Sequence, residues 1–214
     1  RRRFTLEWNH LGADIESTDT HEKHQESAKT VTSWLQDRST FLMVGTLEPR
    51  KGHAQVLDAF ERLWQDNNEI NLVIVGKQGW LVESLVERLQ NHVELNKRLI
   101  WFEGISDECL EQVYAASTCL VAASYGEGFG LPLIEAAQHN LPIVARDIPV
   151  FREVASECAF YFNSVTSEEL AQVITNWLQQ YEKNQHPKSN QMHWLTWKES
   201  ASQLVNHLLH RPPK

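Results

Sequence analysis

The 214-residue sequence predicts an α/β fold built on a doubly wound parallel sheet of the Rossmann-like kind. Short, almost wholly apolar segments rich in β-branched residues recur along the chain, as expected for parallel strands that are covered on both faces. Segments with apolar residues at helical spacing lie between them, and this alternation favours right-handed crossovers. With 42% hydrophobic residues, the chain can bury one good core.

The predicted elements follow one another in regular order. Apolar runs indicate six strands, at 41–45, 71–76, 99–104, 118–124, 142–145 and 158–162. Helical spacing indicates helices at about 24–37, 53–66, 80–92, 107–116, 131–139 and 149–156. Two more helices, at 167–182 and 197–209, begin at Thr-x-x-Glu spacings that suit capping boxes.

Charge, cysteine content and apolar run length exclude several classes of protein. A net charge of −8 argues against a nucleic-acid partner, which needs a basic face. No uninterrupted apolar stretch reaches the length of a membrane span. Cys109, Cys119 and Cys158 lie in or beside apolar runs and predict buried thiols of a reducing, cytoplasmic compartment. No Asp-x-Asp occurs, so a metal-bridged diphosphate would lack its usual ligand and no metal is expected. No other cofactor is expected.

A glycine-rich turn with two glutamates occupies residues 124–137, which read SYGEGFGLPLIEAA. The turn follows a predicted strand, and Pro132 suits the start of a helix. Backbone N–H groups at such a helix start favour binding of an anion at the carboxyl edge of the sheet, and phosphate is the usual ligand. Glu127 and Glu135 flank the turn and can accept hydrogen bonds from neutral hydroxyls. The pattern predicts a nucleotide-sugar site, with the diphosphate between a sugar and a ribose.

A dinucleotide site of an oxidoreductase is the alternative for the same stretch. Gly126 and Gly128 give G-x-G, and Asp147 lies about twenty residues further on, after a strand, where a ribose carboxylate would be expected. The third glycine, Gly130, comes one residue early for G-x-G-x-x-G. Glu127 would also face a pyrophosphate of like charge inside the turn. Both features favour the nucleotide-sugar interpretation.

The ordered motifs of the chain resemble those of retaining glycosyltransferases of family 4, which have the two-domain GT-B fold. The resemblance runs from about Trp8 to Leu208. It rests on EGFGLPLIEA around Glu127 and Glu135, together with VGTLEPRKG (44–52), LVIVGKQGW (72–80), FEGISDECLEQVYAAS (102–117) and RDIPVFREV (146–154). GTLEPRK, GKQGW and RDIPVFREV are most similar to bacterial mannosyltransferases that build surface polysaccharides.

The resemblance implies roles for individual residues. Glu127 would hold hydroxyls of the donor sugar, and Glu135 those of the ribose. Arg50 and Lys51 would neutralise the diphosphate and, with Glu127, form the catalytic set. The other implied donor contacts are the backbone of Gly128, Phe129, Gly130 and Leu131, the strand end Gly45–Thr46, and Gly76, Lys77 and Ile105 near the base. Thr46 stands where many family members carry an arginine.

The GT-B resemblance also implies three parts of the chain. Residues 1–37 would form an interdomain crossover and helix, 38–182 a nucleotide-sugar-binding domain, and 183–214 a linker and C-terminal helix. The start at Arg1 rather than Met fits a piece of a longer protein. An N-terminal domain would bind the acceptor, a glycan or lipid-linked glycan.

The expected activity is retaining glycosyl transfer from a nucleotide-diphospho-sugar, with GDP-mannose as the best match, to a growing polysaccharide such as lipopolysaccharide O antigen. The full-length protein is expected at the cytoplasmic face of the inner membrane, in peripheral association with it. A non-catalytic nucleotide-sugar-binding domain of a larger synthase is a further alternative.

Overall fold

The computed structural model describes residues 9–13 and 38–209, and the helix predicted at 24–37 lies outside them. Six strands form one parallel sheet: β1 Ser39–Val44, β2 Ile70–Val75, β3 Leu99–Phe102, β4 Cys119–Ala122, β5 Ile143–Arg146 and β6 Phe160–Phe162. Their order across the sheet is β3-β2-β1-β4-β5-β6. The predicted fold class is confirmed, and the order reverses direction between β1 and β4.

Seven helices lie in the described part of the chain: α1 His53–Gln65, α2 Glu83–Gln90, α3 Asp107–Ala116, α4 Leu131–Gln138, α5 Pro149–Ala155, α6 Ser167–Glu182 and α7 Trp197–Leu209. α2 begins at Glu83 rather than at the predicted residue 80, because the loop before it is held in a non-helical conformation. The Gly79 amide donates to the Leu47 carbonyl (3.0 Å), and Leu81 has a left-handed φ of 52°.

Different helices cover the two faces of the sheet. Side chains alternate along each strand, so Phe41 and Met43 pack on one face and Leu42 on the other. α1, α2 and α6 cover the first face, where Phe41 makes edge contacts with Phe60 and Trp177. α3, α4 and α5 cover the second. Helices of the described part of the chain therefore cover both faces of the sheet and leave its edges for ligands.

The two predicted capping boxes are present. Thr166 Oγ1 accepts from the Glu169 amide at 3.2 Å, and Glu169 Oε2 accepts from the Thr166 amide at 3.2 Å. The same reciprocal pair joins Thr196 and Glu199, at 3.1 and 2.8 Å. Each pair satisfies backbone N–H groups at a helix start, which fixes where α6 and α7 begin.

Residues 9–13 lie against the start of α7. The Ala13 amide donates to the Leu195 carbonyl (2.9 Å), and Asn9 Nδ2 donates to the Ser200 carbonyl (3.1 Å). The linker part of the predicted 183–214 region contains a 3₁₀ turn at Ser189–Gln191 that packs against α4. This segment is therefore tied to the sheet domain.

Within the described residues, every helix is too short or too polar to cross a lipid bilayer. All three cysteines carry free thiols, and those of Cys109 and Cys119 are buried.

Candidate functional site

The candidate site lies at the carboxyl ends of β1 and β4, where the strand order reverses. In open α/β sheets this switch point is where ligands bind. Gly52 has φ 76°, and a Cβ there would lie 2.5 Å from the Ala123 carbonyl oxygen. Only glycine therefore lets the loop after β1 approach the loop after β4. The Tyr125 amide donates to the Arg50 carbonyl at 2.7 Å and fastens the two loops together.

Glu127 lies at the centre of this junction, and three side chains donate to its carboxylate. Lys51 Nζ contacts Oε1, Arg50 Nη1 lies 2.8 Å from Oε2, and Ser124 Oγ donates to Oε1 at 2.8 Å. The Glu127 side chain is 10% exposed. Burial raises the pKa of Glu127, but the hydrogen bonds from Lys51, Ser124 and Arg50 outweigh burial and lower it overall. The carboxylate is therefore ionised at neutral pH.

The two cations differ in their exposure. The Lys51 side chain is 14% exposed, whereas that of Arg50 is 44% exposed. Arg50 also pairs with Glu48 (2.8 Å) and donates to the Gly126 carbonyl (3.0 Å). The hydrogen bond to Glu127 raises the pKa of Arg50. The structure brings the three residues of the predicted catalytic set, Arg50, Lys51 and Glu127, into one cluster, and their catalytic role stays a prediction.

The glycine turn presents backbone on its open side. Added Cβ atoms at Gly126 and Gly128 would meet nothing within 4 Å, so a ligand can approach the main chain closely there. Gly130 has φ 98° and directly precedes α4. The side chains of Phe129 and Leu131 pack on the core, which anchors the turn. The turn therefore directs the first N–H groups of α4 toward the carboxyl edge.

Glu135 lies on α4 in a different environment. Tyr114 on α3 donates its hydroxyl to Glu135 Oε2 at 2.6 Å. Burial is the largest influence and raises the pKa of Glu135, although the Tyr114 hydrogen bond lowers it. Tyr114 is stacked on His139, with ring centroids 5.4 Å apart. One hydrogen bond leaves acceptor capacity on this carboxyl group.

The remaining predicted residues lie along the same edge of the sheet. A Cβ at Gly76 would lie 2.0 Å from the Gly45 carbonyl oxygen, so the ends of β1 and β2 approach each other through glycine. Thr46 and Lys77 are exposed, and Ile105 is partly buried against the core. Among the described residues, the contacts to the Glu127 carboxylate come from Arg50, Lys51 and Ser124. Lys77 and Ile105 are therefore not among the residues that contact the Glu127 carboxylate.

Sequence reasoning missed the residues that support the cluster. Ser124 lies two residues after the end of β4, at the carboxyl edge of the sheet, a position that could have identified it. Arg146 ends β5 and is buried, donating to the carbonyls of Ala123 (3.0 Å) and Ser164 (2.9 Å) and to Gln55 Oε1 (2.5 Å). Its guanidinium lies 4.1 Å from the centre of the Tyr125 ring. Arg146 thus holds the loop that carries Glu127, and an arginine at the end of an apolar strand is its signal.

His53, at the start of α1, lines the cavity beneath the cluster together with Lys51 and Glu127. Burial, with a smaller effect of Lys51, lowers the pKa of His53 to about 4. The imidazole is therefore neutral and adds no charge. Within residues 9–13 and 38–209, no group of three or more His, Cys, Asp or Glu side chains could hold a metal. Metal independence stays a prediction.

Three kinds of similarity place this chain among known proteins. Residues 24–194 match the family described as Glycosyl transferases group 1. Over 199 residues the chain is 51% identical to the serotype-specific mannosyltransferase WbdA of Escherichia coli, an alignment that covers 93% of this chain and 24% of that protein.

Two solved structures share the fold. Anabaena HepE, in complex with UDP and glucose, superposes with a TM-score of 0.69 at 18% identity over 88% of this chain and 52% of its own. The C-terminal domain of the group 1 glycosyl transferase LpcC of Francisella tularensis gives a TM-score of 0.61 at 19% identity, over 87% and 93% respectively.

The chain spans only 24% of the length of WbdA, the relative to which it is 51% identical. The structural likeness shows a Rossmann-like domain as found in GT-B glycosyltransferases. Because the family match extends over most of the sequence, the chain belongs to the family of group 1 glycosyl transferases.

Proposed function

We propose that this chain holds the nucleotide-diphospho-sugar donor for a retaining glycosyl transfer. The convergence of Arg50, Lys51 and Glu127 beside the glycine turn carries the proposal. Two cations and a helix N-terminus suit a diphosphate, and a carboxylate suits the hydroxyls of a sugar. The likeness to a protein named a mannosyltransferase favours mannose as the sugar, with GDP-mannose as the donor.

The proposed chemistry needs charge stabilisation on the departing diphosphate. The bond between the sugar C1 and the β-phosphate oxygen breaks, and the acceptor hydroxyl oxygen bonds to C1 on the same face. The hydroxyl proton passes to the departing phosphate oxygen. Lys51 and Arg50 would stabilise the negative charge that develops there, and Glu127 would orient the sugar. Glu135 would hold the ribose hydroxyls through its remaining acceptor capacity.

A dinucleotide-dependent oxidoreductase is not favoured. Asp147, the residue at the ribose-binding position of such a site, forms a two-point pair with Arg152, in which Nε and Nη2 each lie 2.7 Å from one carboxylate oxygen. The family match also points to glycosyl transfer.

We further propose that other segments of a longer protein supply the acceptor site, because the alignment covers 24% of WbdA. The acceptor would be a glycan or lipid-linked glycan that grows into a surface polysaccharide, at the cytoplasmic face of the inner membrane. The donor site would work without a metal ion.

Calorimetry tests the donor assignment. The chain is titrated with GDP-mannose, UDP-glucose, GDP, UDP and NADH, in EDTA and again in Mg²⁺. We expect GDP-mannose to bind in both buffers and NADH not to bind. Arg50→Ala should weaken binding by about tenfold, the size of one charge-assisted contact. Arg62→Ala is the matched control, because Arg62 is also half-exposed and paired to a glutamate, Glu168, but lies away from the cluster.

Failure to bind any nucleotide-sugar would overturn the proposal, and so would binding of NADH alone. A transfer assay with GDP-mannose and oligomannosides tests the acceptor assignment separately. Loss of acceptor positioning can forfeit about 7–11 kcal/mol of barrier lowering, so little product is expected from this chain alone. Sustained elongation would show that these residues already hold the acceptor.

A further inference from the structure

The carboxylate of Glu127 occupies the same two cations that the diphosphate would need. Lys51 Nζ and Arg50 Nη1 both contact it, and Ser124 Oγ supplies a third hydrogen bond. A diphosphate at this position would therefore compete with Glu127 for its cations. It would also bring negative charge close to the Glu127 carboxylate, whose side chain is only 10% exposed to water.

The cost of this competition depends on what else the ligand offers. A buried carboxylate that loses its cations keeps its charge and loses its compensation, which is unfavourable. A donor sugar carries hydroxyl groups, which can donate hydrogen bonds to the carboxylate and replace those lost from Lys51 and Arg50. A free nucleoside diphosphate has no such donors at that position. Its terminal phosphate also gains an additional negative charge once it releases the proton that it took from the acceptor hydroxyl.

We propose that Glu127 sets the preference of this site for the nucleotide-sugar over the nucleoside diphosphate that remains after transfer. The inference rests on the proposed function, because it assigns the sugar to Glu127 and the diphosphate to Arg50 and Lys51. While the sugar is attached, its hydroxyls compensate the carboxylate. After transfer, the carboxylate recaptures the two cations and disfavours the product. Glu127 thus favours product release as well as sugar binding.

The ion pair between Arg50 and Glu48 would keep Arg50 in place while Glu127 loses and regains its contact with it. Arg50 pairs with Glu48 through Nε and with Glu127 through Nη1, both at 2.8 Å, so it can stay anchored while one contact changes. Lys51 is the more buried cation, and Glu127 is the carboxylate that contacts it. Competition for Lys51 should therefore dominate the preference.

The experiment compares dissociation constants for GDP and GDP-mannose in the wild type, Glu127→Gln and Glu127→Asp, with UDP and UDP-glucose as parallel probes. Glutamine removes the charge and keeps the shape. GDP should bind Glu127→Gln about tenfold more tightly than the wild type, as for removal of one close like charge. GDP-mannose should not tighten. Glu127→Asp keeps the charge and should keep GDP weak.

The control is Glu87→Gln, which removes an exposed carboxylate on α2 and should leave both constants unchanged. Thermal unfolding verifies that each variant is folded. If Glu127→Gln does not fold, Glu127→Ala serves as a second variant that removes the charge. Equal or weaker GDP binding in the folded charge-removing variant would overturn the inference, and so would equal tightening of GDP and GDP-mannose. A wild type that binds no nucleotide-sugar would instead overturn the proposed function.

Discussion

Glu127 and Glu135 belong to one short stretch of sequence, yet their surroundings give them opposite properties. Three donors around Glu127, two of them cations, outweigh its burial and lower its pKa. Glu135 is also largely buried, but its hydrogen-bond donor is the neutral Tyr114 hydroxyl, and burial raises its pKa. The same residue type therefore serves two purposes at one sheet edge. Glu127 balances the charge of two cations, whereas Glu135, with one neutral donor, keeps acceptor capacity for neutral hydroxyls.

The largest effect is expected where Lys51, the more buried of the two cations that contact Glu127, is removed. Lys51→Ala should weaken binding of GDP and GDP-mannose by about 10–100-fold, because a buried charge-assisted contact to the diphosphate is lost. Calorimetry at two salt concentrations measures it, with exposed Lys97→Ala as the control. Unchanged affinity in Lys51→Ala would remove Lys51 from the site.

Removing the other carboxyl group should affect both ligands alike. Glu135→Ala is expected to weaken GDP and GDP-mannose by a similar factor of about 5–20, because both ligands contain the ribose that Glu135 would hold. Competitive titration against a fluorescent GDP analogue gives both constants in one format. A loss confined to GDP-mannose would mean that Glu135 contacts the sugar instead.

The opposite pKa directions predict opposite effects on stability. Glu127→Gln should lower the free energy of unfolding at pH 7 by about 1–2 kcal/mol, because its cations lose their partner. Glu135→Gln should leave it unchanged or raise it by about 0.5–1 kcal/mol, because a buried charge is removed while the amide oxygen still accepts from Tyr114. Urea denaturation at pH 7 measures both, with Glu87→Gln as the reference.

The signs follow from linkage between protonation and folding. The lowered pKa of Glu127 gives stability that is present above the unfolded-state pKa and is lost as pH falls through the folded-state pKa. The raised pKa of Glu135 gives stability that is present below the unfolded-state pKa and is lost as pH rises through the folded-state pKa. Equal stability changes in the two glutamine variants at pH 7 would contradict this contrast.

The smallest effect is expected at Tyr114. Tyr114→Phe removes the hydroxyl that donates to Glu135 and should raise the pKa of Glu135 further. Binding of GDP should weaken by about 2–5-fold, because the carboxyl group is held less firmly. The pH dependence of GDP binding, compared with that of the wild type, separates this positioning role from a general loss of stability. An identical pH profile would contradict it.

The sequence predicted the part of the site that follows from strand ends. Glu127 and Lys51 each follow an apolar strand, and parallel strands bring their carboxyl ends to one edge. Tyr114 could not be assigned to Glu135 from the sequence, because the contact depends on how two helices pack. Likewise, α2 began later than its apolar spacing suggested, since the interaction of Gly79 with the loop after β1 is a tertiary contact. Local patterns predict elements and edges, whereas packing decides the supporting contacts.

A crystal structure of the chain with GDP-mannose tests whether the donor binds at the β1–β4 junction with its sugar on Glu127. We expect the diphosphate within hydrogen-bonding distance of Lys51 and the first N–H groups of α4, with a sugar hydroxyl on Glu127 and the ribose on Glu135. Lys51 and Glu127 should then be farther apart than in their present contact. A nucleotide bound away from the β1–β4 junction would contradict the account, and so would a diphosphate bound there with the sugar turned away from Glu127.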